Sequence, residues 1–153
     1  MSGGVSNVTF ENITMDNTGT GIRMKSQRGR GGTVSNITYR NIWMKTIAGQ
    51  CVQVTLNYHP GLSPTNQTGT PVFRDILLEN VRCDKAKNSY LIDGLVEQHI
   101  EGFALRNVTM HKGVGAQAAC AYASCTCRDV SPCPSCCVVL DNASQPLPKL
   151  QRY

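Results

Sequence analysis

Apolar and polar residues alternate along four stretches of similar sequence, and the alternation is interrupted once in each stretch. The copies read VSNVTFENITM, VSNITYRNIWM, FRDILLENVRC and IEGFALRNVTM, at residues 5–15, 34–44, 73–83 and 100–110. A period of two residues indicates β-strands with one buried face. Repetition of one strand unit, with insertions between the copies, is typical of a solenoid in which each turn packs on the next.

The interruption falls on an asparagine in every copy. In the first copy, Val8 and Phe10 are two residues apart, whereas the step from Phe10 to Ile13 is three residues and includes Asn12. The equivalent residues are Asn41, Asn80 and Asn107. Asparagine tolerates the left-handed backbone conformation that a one-residue corner needs, and stacked asparagines can bond from turn to turn. A β-sandwich is the alternative, but its strands would not have a corner residue at one fixed offset.

Further strand-like runs lie between and after the copies, at residues 21–26, 51–58, 90–95 and 137–140. The pattern therefore predicts an all-β fold, a single-stranded parallel β-helix, with its rungs over residues 1–112. Residues 113–153 are expected to form a cysteine-rich C-terminal segment and tail. Within them, residues 120–137 are expected to be too short and irregular to form a rung, and residues 145–153 to be loosely held. Residues 59–71, rich in Pro, Gly, Ser and Thr, predict an inserted loop.

Positive charge is concentrated in one part of the chain. The net charge is +5, yet residues 17–74 hold seven Lys or Arg residues and no Asp or Glu. The segment GIRMKSQRGRGG at residues 21–32 contains four of these cations, Arg23, Lys25, Arg28 and Arg30. In a strand, Arg23 and Lys25 would project from one face and the two apolar residues beside them from the other. This distribution favours an anionic partner, although a solvated basic loop is the alternative.

The cysteine content indicates an oxidising compartment. Six of the eight cysteines lie between Cys120 and Cys137, a density typical of secreted, disulfide-bonded chains. A zinc site is conceivable at such spacings, but the adjacent Cys136 and Cys137 favour disulfides. Cys51 and Cys83 are interpreted as strand residues, and Cys83 as simply buried. No metal and no cofactor are predicted.

The segment after Met1 has neither the charge nor the apolar run of a signal peptide, and no apolar run is long enough to cross a membrane. A secreted composition without a signal leads us to expect that the true N-terminus is missing. Nucleic acid is the main rival partner for the basic stretch. Only Tyr39 and Trp43 lie near it for stacking, and no nucleic-acid-binding motif is present, so neither nucleic acid nor a membrane is predicted as a partner.

The ordered rungs, the Arg-x-Lys strand Arg23-Met24-Lys25 and the Gly-rich loop after it resemble the polygalacturonase family of pectin-degrading glycoside hydrolases. The resemblance covers residues 2–112. It implies a right-handed, pectin-lyase-like parallel β-helix, truncated at its N-terminus, and an extracellular role in cell-wall carbohydrate metabolism. It also implies that Arg23 and Lys25 bind the carboxylate of a galacturonate unit, with Arg28 and Arg30 at the cleft rim.

The family also has a cleft tyrosine one rung later, which Tyr58 matches. Its ring could pack on a sugar face and its hydroxyl could donate a hydrogen bond; a strand-end aromatic that covers the core is the alternative. The resemblance implies an inverting reaction driven by aspartates, in an Asn-Thr-Asp strand and an Asp-Asp pair, and by a Gly-His-Gly turn. In the family these precede the Arg-x-Lys strand, and none occurs in this sequence.

We therefore expect a fragment of a polygalacturonase-like hydrolase that binds acidic polysaccharide but has no catalytic residues and is inactive alone. The alternatives are a non-catalytic acidic-polysaccharide-binding remnant and a purely structural β-solenoid. A solenoid cut between rungs exposes strand edges, so the isolated chain is expected to aggregate, whereas the full-length protein is expected to be a monomer.

Overall fold

The computed structural model describes residues 3–60 and 69–140, which form a parallel β-helix. The strands are β1 (Val5–Met15), β2 (Ile22–Lys25), β3 (Thr33–Thr55), β4 (Val72–Asp93), β5 (Ile100–Val114), β6 (Ala119–Ala121), β7 (Ala123–Ser131) and β8 (Cys137–Val139). Their order is β1-β3-β4-β5-β7-β8, with β2 paired to β3 and β6 to β4, and all these pairings are parallel. Val5 pairs with Val34 and Val34 with Phe73, so the predicted copies stack in register.

The asparagine corners form a ladder along the stack. All four have positive φ, between 49° at Asn107 and 57° at Asn12 and Asn41. The Nδ2 of Asn41 donates to Oδ1 of Asn12 over 3.0 Å, Asn80 donates to Asn41 over 3.1 Å, and Asn107 donates to Asn80 over 2.8 Å. The predicted corner and the predicted rung-to-rung bonding are both confirmed.

A second corner in each copy was missed by the sequence analysis. It has positive φ at Asn7, Asn36, Asp75 and Gly102. Asn36 donates from Nδ2 to Oδ1 of Asn7 over 2.6 Å, which starts a second, shorter ladder. The signal was present, because every copy has Asn, Asp or Gly in third place and an apolar step of three residues across it.

Apolar side chains from successive rungs stack inside the helix. Ile42, Val81 and Val108 are paired in register, and each is at most 2% exposed. Within the described residues β1 pairs on one side only, and Phe10 is 40% exposed while its ring stacks on Tyr39 with centroids 4.7 Å apart. Whether this open apolar edge leads to aggregation stays a prediction.

The cysteine-rich segment takes part in the sheet, so the expectation that residues 120–137 form no rung is wrong. β6 pairs with β4, β7 with β5, and β8 with β7. Cys125–Cys137 joins β7 to β8, and Cys120–Cys136 and Cys127–Cys133 tie β6 and β7 to the connection before β8. In β7 the inward positions that pair with Phe103 and Leu105 are Cys125 and Cys127, so small, disulfide-bonded side chains replace the large apolar ones of the preceding rung.

The predicted division into residues 1–112 and 113–153 stays a prediction, although the parallel sheet continues through β7 and β8. The tail predicted at residues 145–153 and most of the predicted insertion, residues 61–68, lie outside the described residues. Among the residues that are described, no helix is long and apolar enough to cross a membrane.

Replacement of Asn80 by alanine is expected to lower the free energy of unfolding by about 2 kcal/mol, through two lost ladder bonds and a Cβ at positive φ. Asn80→Gly is the matched variant, because glycine adopts positive φ without strain and removes only the bonds. Urea unfolding followed by circular dichroism compares the two. A glycine variant as unstable as the alanine variant would mean that backbone strain contributes nothing at this corner.

Candidate functional site

One face of the solenoid combines exposed cations with polar side chains. It is built from β2, residues 52–55 of β3, residues 90–93 of β4, and β6. In β2, Ile22 and Met24 are buried while Arg23 and Lys25 are exposed, as the alternation predicted. Register pairing places Arg23 beside Gln53 and Lys25 beside Thr55, so the two cations project over a polar floor.

Tyr58 lies against both cations. Nη2 of Arg23 donates to the Tyr58 hydroxyl over 2.7 Å, and Nζ of Lys25 lies 3.9 Å from the Tyr58 ring centroid. The backbone N–H of Tyr58 donates to the carbonyl of Ser26 over 3.1 Å, which holds the residue next to the end of β2. Tyr58 is half-buried and is not part of the apolar core cluster. The chain thus brings Arg23, Lys25 and Tyr58 together, although their roles in binding stay predictions.

The two cations change the acidity of the phenol. The Lys25 ammonium lowers the pKa of Tyr58 below its ordinary value of 10.0, Arg23 acts in the same direction, and partial burial opposes both. A phenolate beside two cations is favoured by the same Coulomb attraction that would favour a bound carboxylate. An anion at this position therefore competes with the phenolate for the same charges.

Tyr58 is expected to ionise at lower pH than Tyr39 and Tyr90, whose pKa values are raised by burial. Binding of a carboxylate ligand should shift the Tyr58 ionisation back upward, since linkage is reciprocal. As pH rises through the lowered pKa, the phenolate neutralises cationic charge and ligand affinity should fall. The measurement is the ultraviolet phenolate absorbance of the wild type minus that of Tyr58→Phe. Lys25→Met should return the transition toward the ordinary pKa, and an unchanged transition in that variant would contradict the assignment.

Arg28 is engaged by an acid that the sequence analysis did not identify. Its Nε lies 2.5 Å from Oε1 of Glu97, and its Nη2 lies 2.9 Å from Oε2, so the pair is bidentate. The Arg28 guanidinium holds the pKa of Glu97 below its ordinary value. Arg30 is exposed. Nothing in the sequence around Glu97 signals this pairing, because 69 residues separate the partners.

The positive charge of residues 17–74 is partly neutralised in the folded protein. Three of the seven cations between residues 17 and 74 form ion pairs with acids outside that segment: Arg28 with Glu97, Arg40 with Glu11, and Arg74 with Asp75. In contrast, within residues 3–60 and 69–140 neither Arg23 nor Lys25 forms an ion pair with an acid. Arg23 and Lys25, both in contact with Tyr58, therefore keep their positive charge available, as do Arg30 and Lys45 elsewhere in this segment.

Two acids lie on or beside this face. Asp93 accepts a hydrogen bond from Nδ2 of Asn57 over 3.3 Å and pairs in register with Thr55. Glu97 is bound to Arg28. Five cysteines form two close groups of three, Cys120 with Cys136 and Cys137, and Cys127 with Cys133 and Cys137, but all of them are engaged in disulfides.

Comparison with known proteins gives the family. The model of the glycosyl hydrolases family 28 matches residues 2–136. The chain is 36% identical over 93 residues to the Aspergillus niger protein named endopolygalacturonase II, an alignment that covers 59% of this chain and 26% of that protein. It is 31% identical over 133 residues to a probable polygalacturonase of Vitis vinifera, covering 85% of this chain and 26% of that protein.

A third relative, endopolygalacturonase I of Aspergillus aculeatus, is 39% identical over 77 residues, or 50% of this chain and 20% of its own length. The chain thus spans about a quarter of the length of the curated relatives it matches. No solved structure gave a significant match. The family match extends over most of the rungs described above and includes β2 with Arg23 and Lys25. This chain belongs to the glycosyl hydrolases of family 28.

Proposed function

We propose that this chain supplies the carboxylate-binding part of a pectin-binding cleft in a polygalacturonase-type glycoside hydrolase. The observation that carries the proposal is the pair Arg23 and Lys25, exposed side by side and not ion-paired within the described residues, with Tyr58 in contact with both. A guanidinium binds a carboxylate through two parallel hydrogen bonds, and an ammonium adds a compact charge. A polymer of uronic acids has such a carboxylate on every unit that is not esterified.

Tyr58 completes the site in this proposal. Its hydroxyl accepts the Arg23 hydrogen bond and orients the guanidinium before a ligand arrives, which lowers the entropy lost on binding. Its aromatic ring offers an apolar surface to a sugar face, while the hydroxyl offers a donor to a sugar oxygen. Arg30, exposed in the loop after β2, is proposed as part of the cleft rim.

The chain alone is proposed to bind without hydrolysing. Inverting glycoside hydrolysis needs one carboxyl that donates a proton and another that activates water. Glu97 is unsuited to proton donation because Arg28 stabilises its charged form. Asp93 accepts a hydrogen bond from Asn57 and has no second acid beside it in the ion pairs and hydrogen bonds of the described residues. The Asn-Thr-Asp, Asp-Asp and Gly-His-Gly patterns that the resemblance implies do not occur in this sequence.

The purified chain is expected to bind polygalacturonate, as measured on an affinity column or by titration calorimetry. It is expected to release no reducing ends above blank, because a binding surface without an acid and a base contributes little to the rate of hydrolysis. An active polygalacturonase serves as the positive control. Binding without turnover supports the proposal. Clear turnover would contradict the proposed lack of catalytic groups, and absence of binding would favour a purely structural β-solenoid.

Extracellular location is proposed on the cysteine chemistry. All eight cysteines form disulfides, which persist in oxidising compartments and are rare in the cytosol. The fungal and plant relatives are polygalacturonases by name, and pectin is proposed as the polymer this chain meets.

A further inference from the structure

The ion pair between Arg28 and Glu97 is the best-formed contact between charged groups of opposite sign in the described part of the chain. Both carboxylate oxygens of Glu97 accept from the guanidinium, and the two side chains are 24% and 15% exposed. Every other ion pair among the described residues is more exposed at both partners. Removal of part of the solvent makes such a pair stronger and more persistent than a fully exposed one.

The pair links two loops between which the segment leading to Tyr58 lies. Arg28 belongs to the loop that follows β2, and Glu97 to the loop that follows β4, with the end of β3 between them. The segment that leads to Tyr58 is hydrogen-bonded on both sides, through Tyr58 N–H to the Ser26 carbonyl and through Leu56 N–H to the Asp93 carbonyl. The ion pair thus joins the two loops that flank the Tyr58 segment, and Arg28 stands in the loop that continues directly from Lys25 at the end of β2.

The two cationic groups of this region therefore differ in their availability. Arg23 and Lys25 have no acidic partner within the described residues, whereas Arg28 already directs Nε and Nη2 at a carboxylate. A second uronate carboxylate that approached Arg28 would find the bidentate donors occupied. It would also meet the negative charge of Glu97, and like charges at close range repel.

We propose that the Arg28–Glu97 pair makes this cleft selective for a mixed pattern of charge: one free carboxylate at Arg23 and Lys25, and a neutral unit, methyl-esterified or uncharged, beside Arg28. This inference rests on the proposed function and adds to it the preferred state of the polymer. The negative charge of Glu97 lowers the affinity for fully de-esterified chains by repelling their carboxylates, and Arg28 holds the Glu97 side chain in position. Both are positioning and specificity residues that need not touch the reacting atoms.

Two opposite substitutions separate this role from a merely structural one. In Glu97→Gln the repelling charge is lost and Arg28 is released, so de-esterified polygalacturonate should bind about three- to tenfold more tightly, while partially methyl-esterified polymer changes little. In Arg28→Gln an unpaired Glu97 remains, so de-esterified polymer should bind more weakly by a similar factor. A link that only holds two loops together predicts that both variants lose affinity for both polymers.

The control is Glu79→Gln, which removes the same charge from an acid that pairs with Arg106 in the ladder region, outside this face. Because it changes the net charge of the protein by the same amount, it measures the general field, and its effect on the ratio of the two affinities should be much smaller than that of Glu97→Gln. Titration calorimetry at fixed ionic strength, with de-esterified and partially methyl-esterified polygalacturonate as the two probes, gives the ratio of affinities for each variant. Circular dichroism checks that each variant keeps its strand content.

The supporting result is a ratio that moves toward the de-esterified polymer in Glu97→Gln and away from it in Arg28→Gln. An unchanged ratio, or a shift of the same sign in both variants, overturns the inference. The proposed function still stands in that case, provided that the wild type binds polygalacturonate. If the wild type binds neither polymer, the proposed function fails and the inference falls with it.

Discussion

Replacement of Arg23 and Lys25 by alanine together is expected to weaken binding of polygalacturonate by about two to four orders of magnitude. Each charge-assisted hydrogen bond to a carboxylate contributes roughly 1.5–3 kcal/mol, and every 1.4 kcal/mol corresponds to about a tenfold change in affinity. Both side chains are exposed and neither is part of the core, so the fold should be retained. Titration calorimetry of the double variant against the wild type measures the loss.

The matched control replaces Lys85 and Lys87, two exposed lysines of β4, by alanine. It removes the same two positive charges from a part of the chain away from Tyr58. General attraction of a polyanion to a basic protein would make the two double variants equally weak, and both losses would shrink as salt is raised. Equal losses would therefore contradict a specific site, whereas a loss confined to Arg23 and Lys25 supports it.

A single variant, Arg23→Lys, tests whether the geometry of the guanidinium or only its charge matters for binding. Arg23→Lys keeps the charge but loses the planar group that can bind a carboxylate through two bonds and hold the Tyr58 hydroxyl. A specific clamp should be weakened by this change, whereas a general field should not. The comparison thus separates geometry from charge at one position.

The fold was predictable because one local feature repeats in every rung. The step from Phe10 to Ile13 at Asn12 recurs with the same offset, and that offset fixes how each rung stacks on the next. A second corner, at Asn7 and its equivalents, was available in the same way and was overlooked. The rung formed by β7 keeps the same step, from Cys127 to Val130 across Asp129 at a φ of 56°, and was overlooked because its inward positions are cysteines and its corner residue is not asparagine.

The site was predictable only where its residues lie in one strand. Arg23 and Lys25 are separated by one residue, and alternation alone places them on the same face. The contact of Tyr58 with them depends on how the chain turns after β3, which the resemblance suggested and periodicity did not. Glu97 could not be found at all, because its partner lies two rungs away and neither loop has a repeating pattern. Charge counted along a chain therefore overestimates the charge available in space.

The disulfide Cys51–Cys83 joins the long strands β3 and β4 inside the core, and its loss is expected to lower the free energy of unfolding by about 3 to 4 kcal/mol. The partners are 32 residues apart, and a cross-link of that length restricts the unfolded chain by an amount of this order. Both cysteines are fully buried, so their replacement by alanine also leaves unfilled space among packed side chains. The sequence suggested burial of Cys83 but not this pairing, since the two sulfurs approach only when different faces of the solenoid meet.

The comparison is between two double variants that each lose one disulfide. Cys127 and Cys133 are only six residues apart, so Cys127→Ala with Cys133→Ala should cost roughly 2 kcal/mol on the same entropic argument, clearly less than Cys51→Ala with Cys83→Ala. Urea unfolding of the oxidised proteins by circular dichroism gives both values. Equal midpoints would contradict a dominant role for the core disulfide. A lower midpoint for the Cys51 and Cys83 variant would mean that the stack of rungs is held at its centre by a covalent bond as well as by apolar packing.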